Sequence, residues 1–250
     1  MHKEKTKVWI NGLSGKMGQV LSQQIKIDKN NWNLLGGSSL EDFVIKKNQL
    51  LEAHLVIDFS SRDGSEALAR FVEKSSCPPM GFLICSTGLK ESTLATWKKL
   101  AHEKNLRVLI APNTSLGIAL ALKSSLLVSS TLLQNNFDIE IEETHHKHKK
   151  DLPSGTALYL ADHLAQKNNL KINKNRNTVR EKNEIGIQAS RGGGVFGEHK
   201  IRFLGEHEEI TIMHRSYSRD LFAQGAMYLG QWLVNKKECG LYELFDVHQG

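Results

Sequence analysis

Short apolar runs alternate with helical patterns through the first half of the chain. Val8–Ile10, Trp32–Leu35, Leu55–Phe59, Gly81–Cys85 and Arg107–Ala111 read as strands. Between them, Lys16–Ile27 carries Met17, Val20, Leu21 and Ile25 at helical spacing, and Glu66–Lys74 and Glu91–Glu103 read as further helices. Strands alternating with helices call for parallel strands joined by crossovers, so the pattern predicts an α/β doubly wound sheet. The pattern changes after Asn113. Ile118–Leu133 predicts a long helix, and Phe137, Ile139 and Ile141 alternate with Asp138, Glu140 and Glu142 as in a half-buried strand. A helix from Gly155 to Lys167 comes next, then a polar loop over Lys171–Asn183 and strand-like runs near Ile185–Ser190, Glu198–Phe203 and Glu209–His214. Strands with few helices between them predict a second, α+β domain over residues 114–221. The last helix, Leu221–Asn235, returns to the first domain, which is then 1–113 with 222–250.

At 250 residues, with 40% apolar and 24% charged side chains, the chain suits a soluble protein of one large or two smaller domains. Its formal charge of +6, from 33 basic and 27 acidic residues, is modest and spread along the chain. No aromatic–basic interleaving points to nucleic acid. The three cysteines, Cys77, Cys85 and Cys239, make no Cys-x-x-Cys pair, which argues for a reducing compartment and against a disulfide framework or structural zinc. The basic start, with only Val8–Ile10 apolar after it, is no secretory signal, and no run approaches the roughly 20 apolar residues of a membrane span. The expected location is the cytoplasm.

Gly12, Gly15 and Gly18 come directly after the first strand and open a helix. This is where a nucleotide fold places its phosphate loop: a first glycine for the tight turn, a second for backbone approach to a pyrophosphate, a third for helix–strand packing. The competing reading is turn geometry alone. An acidic reader of the ribose hydroxyl belongs near the end of the second strand. That point reads Leu35-Gly36-Gly37-Ser38-Ser39, with no carboxylate until Glu41. Serines there, with Lys46 or Lys47, suit a 2′-phosphate and lean toward NADPH.

Residues 140–157 hold the densest chemistry. Three histidines and three lysines fall within the six positions from His145 to Lys150. Imidazole exchanges protons near neutral pH and lysine supplies fixed positive charge. A solvated basic loop is one reading. A metal site using His145 with His146 or His148 is a second, opposed by the neighbouring positive charges and by Pro153. An anion site with a proton donor is the third, and the residues just after the basic run favour it. Ser154 is placed to cap a helix whose first-turn N–H groups, at Gly155 and Thr156, suit a carboxylate. Glu140, Glu142 and Glu143 read as a wet strand face rather than partners of those lysines.

Together these residues resemble the 4-hydroxy-tetrahydrodipicolinate reductase (dihydrodipicolinate reductase) family, whose signature Glu-x-x-His-His-x-x-Lys-x-Asp-x-Pro-Ser-Gly-Thr-Ala is matched from Glu142 through His145, His146, Lys149, Asp151, Pro153, Ser154, Gly155, Thr156 and Ala157. The likeness continues through Gly12-Leu-Ser-Gly-Lys-Met-Gly, Val56-Ile-Asp-Phe-Ser, Ser86-Thr-Gly, Ala111-Pro-Asn-Thr-Ser, Gly197-Glu-His and Ile210–Ala226. It implies a Rossmann-type cofactor domain, a mixed-sheet domain that carries the substrate and builds a homotetramer, and NADPH or NADH as cofactor. By the resemblance His145 is the general acid/base and Lys149 the second proton donor, and His146, Gly155 and Thr156 contact a substrate carboxylate. Gly12, Leu13, Ser14, Gly15, Lys16 and Met17 contact the nucleotide, as do Cys85, Ser86 and Thr87 and then Ala111, Pro112, Asn113 and Thr114. No metal is implied. The chain departs from the family pattern at Cys85, where glycine is frequent, at Thr114, where an aromatic or methionine is frequent, and in lacking the ribose reader.

The expected reaction is hydride transfer to an unsaturated cyclic dicarboxylate with loss of water, in diaminopimelate and lysine biosynthesis. Its rivals are a non-catalytic dinucleotide-binding regulator and another small nicotinamide-dependent dehydrogenase.

Overall fold

The computed structural model describes residues 4–38, 47–174 and 179–248. In chain order the elements are β1 (Thr6–Asn11), α1 (Lys16–Ile27), β2 (Trp32–Ser38), α2 (Lys47–Leu51), β3 (Leu55–Asp58), α3 (Arg62–Lys74), β4 (Gly81–Ile84), α4 (Glu91–Glu103) and β5 (Arg107–Ile110). They continue with α5 (Leu116–Gln134), β6 (Asp138–His145), α6 (Gly155–Asn168), β7 (Lys171–Asn173), β8 (Glu184–Arg191), β9 (Gly197–Leu204), β10 (Glu209–Ser216), α7 (Asp220–Asn235) and β11 (Gly240–Glu243). Two compact units result, Met1–Ser115 with Arg219–Gly250, and Leu116–Ser218.

The first unit is a six-stranded sheet in the order β11-β5-β4-β3-β1-β2, with every pairing parallel. This is the doubly wound, Rossmann-type architecture. Both faces of β3 and β4 are buried, so β4 and the first three residues of β3 read as unbroken apolar runs. One core packs Trp9, Val56, Phe82, Ile84 and Val108 of the strands against Leu68 and Val72 of α3 and Trp97 and Leu100 of α4. The order reverses between β1 and β3, so the crevice for a ligand opens at the carboxyl edge there.

The second unit is a five-stranded mixed sheet in the order β10-β9-β6-β8-β7. The central strand β6 runs antiparallel to β9 and parallel to β8. Ile139 and Ile141 of β6, Ile185 and Ile187 of β8, and Ile201 and Phe203 of β9 form a core with α5 and α6. The opposite face carries cross-strand ion pairs, Glu142 with Arg202 and Lys200, and Glu198 with Lys200 and Arg215.

Several expectations change. The short elements α2, β7 and β11 went unread, and β7 opens the segment expected to be polar loop. β7 and β11 are sheet edges of three and four residues, too short for a clear period. β2 runs on to Ser38, and α3 begins at Arg62, where the Ser61 hydroxyl accepts from Gly64 N–H at 3.1 Å. The expectation of no membrane-length run needs correction: α5 has 19 residues and contains an 18-residue stretch of mean hydropathy 1.7, enough by length and composition alone. Ile118, Leu122 and Leu126 on one side of α5 are buried in the second core, while Leu116, Leu120 and Leu127 are exposed.

The glutamate reading is overturned. Glu140 is buried and paired with Arg180, Glu143 is buried, and Glu142 bonds Arg202 at 2.6 Å. β6 is a central strand, so Glu140, Glu142 and Glu143 each meet a cation from a neighbouring segment.

Trp97 is fully buried with its ring centroid 5.2 Å from that of Phe82. Trp97→Ala should therefore destabilise the first unit by about 3–5 kcal/mol, read as a lower denaturant midpoint at unchanged slope, whereas Leu94→Ala on the exposed side of α4 should cost less than about 1 kcal/mol.

Candidate active site

In the first unit, the three loops expected to contact a nucleotide leave the carboxyl ends of β1, β4 and β5. Gly12 sits at φ +85°, and a Cβ there would lie 2.8 Å from the Ser60 backbone. A Cβ on Gly18 would come within 2.2 Å of the Gly12 carbonyl oxygen, so only glycine lets α1 start this close to the loop. Gly15 caps α1 with no side-chain hydrogen bond, and Ser14, Gly15 and Lys16 are exposed. Leu13 and Met17 are half-buried. First-turn N–H groups and a lysine, with no acidic residue among them, fit the pyrophosphate of a dinucleotide.

A buried carboxylate ties these loops together. Asp58, at the end of β3, accepts from Asn11 Nδ2 at 2.9 Å, from Ser60 N–H at 3.0 Å and from the Ser86 hydroxyl at 2.7 Å. Ser86 is thus turned inward, as is Cys85, whose thiol is pushed well up by burial and by Asp58. Thr87 and Pro112 are exposed, Ala111 is buried, and Asn113 accepts from Ser115 N–H at 2.9 Å. Thr114 is buried and donates to the Phe222 carbonyl at 2.7 Å. Ser38 does not serve a 2′-phosphate as expected. It is buried, donates to Asn11 Oδ1 at 2.8 Å and accepts from Trp9 Nε1. Ser39, Glu41 and Lys46 lie outside the described residues.

The second unit holds the histidine–lysine segment. Side chains alternate along a strand, so Glu143 and His145 project from the same face of β6 as Ile139 and Ile141, past the end of the core. In the register Glu143 lies opposite His199 of β9, and His145 lies beside Arg191 of β8. One Glu143 oxygen accepts from the Ser154 N–H at 3.0 Å and from Arg191 Nη2 at 2.9 Å, and the other bonds His145 Nδ1. Burial works against this carboxylate's charge, but the bonds from His145, Arg191 and Ser154 outweigh it and hold its pKa at about 2. His199 meets the His145 ring edge-on, with centroids 5.1 Å apart, and lies 3.3 Å from the Ser154 hydroxyl. Burial first, then the nearby His145, lowers the His199 pKa to about 3, so its ring is neutral at pH 7.

That Ser154 hydroxyl also accepts from Ala157 N–H at 3.2 Å, the expected N-cap of α6. Gly155 and Thr156 come next, at the exposed end of the helix. Lys149 is half-buried and pairs with Asp151 at 2.9 Å, and His146 is half-buried in the same loop. Burial favours a neutral Asp151, but Lys149 outweighs it and lowers its pKa. The structure therefore gathers His145, His146, Lys149, Gly155 and Thr156 in one unit, and the expected nucleotide residues in the other. Reading the sequence missed Glu143, Arg191 and His199. Strand parity was the signal for Glu143, since it shares the odd-numbered face of β6. Glu143, His145 and His199 also place one potential ligand atom each within 4.8 Å of one another.

A doubly wound nucleotide unit joined to a mixed-sheet unit with a histidine–carboxylate pair beside a helix N-terminus defines a dinucleotide-dependent oxidoreductase. The family model for the dihydrodipicolinate reductase N-terminus matches residues 6–114, and that for the C-terminus matches 117–247. The 4-hydroxy-tetrahydrodipicolinate reductase of Clostridium perfringens (strain 13 / Type A) is 34% identical, over 97% of this chain and 98% of its own. That of Clostridium novyi (strain NT) is 36% identical over the same shares. Among solved structures, dipicolinate-bound dihydrodipicolinate reductase from Paenisporosarcina sp. TG-14 shares the fold at a TM-score of 0.71, with 21% identity over 96% of this chain and 98% of that one. The chain belongs to the dihydrodipicolinate reductase family.

The His199 environment has a consequence for stability. The unfolded chain takes up a proton at this residue below about pH 6.5, while the folded one resists until about pH 3. Stability present above pH 6.5 is therefore lost as pH falls toward 3, at up to about 1.4 kcal/mol per pH unit. Glu143 adds loss in the same direction from its usual 4.5 down to about 2. Thermal melts at pH 7.5, 6.0 and 5.0 should show His199→Gln losing less stability per pH unit than the parent.

Proposed function

We propose that this chain reduces 4-hydroxy-tetrahydrodipicolinate to tetrahydrodipicolinate with NADPH or NADH, releasing water, in diaminopimelate and lysine biosynthesis. The observation that carries the proposal is the His145–Glu143 pair set beside the α6 N-terminus, within a chain of this family.

Gly12–Met17, Cys85–Thr87 and Ala111–Thr114 hold the cofactor; the Gly12–Met17 loop takes the pyrophosphate on the N-terminus of α1, and the other two loops contribute largely through backbone, since Cys85, Ser86 and Thr114 spend their side chains inside the fold. When bound, the reduced nicotinamide supplies a hydride. The dicarboxylate is anchored by His146, Gly155 and Thr156. A Cβ on Gly155 would meet nothing within 4 Å, so the fold itself does not require glycine there. Close approach of a substrate carboxylate to the helix backbone does require it. Hydride addition places electron density on the ring, and His145 Nε2 delivers the matching proton, with Lys149 as the second donor. Hydride and proton enter and the ring hydroxyl leaves as water.

Self-assembly into a homotetramer is supported by the apolar side chains left exposed on α5, Leu116, Leu120 and Leu127, and on the edge strand β10, Ile210 and Met213. A reducing, cytoplasmic setting is supported by Cys77, Cys85 and Cys239 as free thiols.

The test is loss of nicotinamide absorbance with freshly made dihydrodipicolinate synthase product, run with NADH and NADPH in parallel. Turnover is expected, and the ratio of rates assigns the cofactor. His145→Gln should lower kcat by roughly 10²–10⁴-fold with little change in KM. Nucleotide binding without any turnover would instead favour a regulatory protein, and full turnover in His145→Gln would remove that residue from the chemistry.

A further inference from the structure

The Glu143 carboxylate is bonded both to the proposed proton donor and to the start of the proposed substrate-anchoring helix. Its two oxygens divide the work. The oxygen shared by Arg191 and the Ser154 N–H fixes the first residue of the α6 cap, 11 positions along the chain. The other oxygen takes the Nδ1 hydrogen of His145. With Nδ1 holding that hydrogen, Nε2 is the nitrogen left to exchange a proton.

We infer that Glu143 is a positioning residue for the reaction: through one oxygen it holds the Nδ1 hydrogen of His145, so that the proton taken up and given away is the one on Nε2, and through the other it sets the helix terminus that receives the substrate carboxylate. This rests on the roles proposed above for His145 and Gly155–Thr156. In the step itself, Nε2 gives its proton to the reduced ring. The Nδ1 hydrogen stays on His145, bonded to Glu143, and solvent restores the proton at Nε2. Glu143 gains and loses nothing. Arg191 supports the arrangement by keeping the carboxylate charged and turned, and it holds the Asp151 carbonyl as well. His199 joins the two arms from the far side, packing on the His145 ring and meeting the Ser154 hydroxyl.

Glutamine separates the two arms. Arg191 and the Ser154 N–H are both donors to one oxygen, so in Glu143→Gln the amide oxygen stays with them and the NH₂ faces His145 Nδ1. Two donors cannot share one bond, so Nδ1 must become the acceptor, and the ring can no longer carry hydrogens on Nδ1 and Nε2 together, as the donating form requires. The helix cap survives. Glu143→Ala removes both arms.

Steady-state kinetics on purified full-length protein tests this, with nicotinamide-nucleotide affinity checking that each variant is folded. Glu143→Gln should lower kcat by about 10²-fold or more, with KM for the dicarboxylate within about threefold. Glu143→Ala should add a KM increase of about tenfold. In a His145→Gln background, Glu143→Gln should lower kcat no further, because its effect passes through His145. An equal loss in both backgrounds, or a loss under about threefold in the parent, would overturn the inference and leave Glu143 a structural residue. The glutamine variant decides the question even if the alanine variant does not fold. Undiminished turnover in His145→Gln alone would instead overturn the proton-donor role, a separate outcome.

Discussion

A carboxylate stripped of water is stable only if other groups replace the hydration it loses. Glu143 is such a group. Its side chain has no exposed surface, and three donors from separate stretches of chain converge on it: His145 on its own strand, Arg191 at the end of β8, and the Ser154 N–H at the entry to α6. Each donor must be where it is for the charge to be tolerated. The position of the imidazole is therefore coupled to that of the helix terminus, although nothing in local chain geometry would link them. Removing one donor would leave a buried charge short of partners, which is far worse than never having built the cluster.

The first unit repeats this solution with different residues. Asp58 is buried at the end of β3 and is held by Asn11 from β1, Ser60 from the turn after β3 and Ser86 from the turn after β4. Here the donors are neutral and the carboxylate organises loops rather than a histidine ring. In both units an acid at the last positions of a strand draws adjacent turns onto one centre. A parallel sheet brings its loops to one edge, but it does not fix their conformations. The carboxylate supplies that remaining constraint.

Legibility in the sequence depends on which forces are local. The alternating strands and helices of the first unit were legible because apolar periodicity is a local property. So were the glycine turn before α1 and the Ser154 cap, since each depends on backbone geometry within a few residues. The fate of the acidic positions on β6 was not. Glu140, Glu142 and Glu143 look alike in sequence, and their environments are set by Arg180, Arg202 and Arg191, between 40 and 60 positions away. Ser38 misled for a similar reason. Trp9 and Asn11 claim its hydroxyl, and only the pairing of β1 with β2 makes them neighbours. The edge strands β7 and β11 are defined by the strand they join more than by their own residues.

The same cluster can be weighed as a metal site by its hydrogen bonding. One glutamate and two histidines within reach of each other have the composition of a transition-metal site. A metal needs free lone pairs, and those of the Glu143 carboxylate are already engaged. One carboxylate oxygen already accepts from a guanidinium and a backbone N–H, and the other accepts from the imidazole that would have to be a ligand. Arg191 also places a fixed positive charge against the carboxylate, where a dication would have to compete with it. The nitrogen that His145 keeps free is Nε2, on the side away from Glu143. Bonding at Nδ1 alone fixes the orientation of the ring and leaves one nitrogen uncommitted. The donor set that resembles a metal site by composition is, by its hydrogen bonding, a histidine–carboxylate pair of fixed orientation.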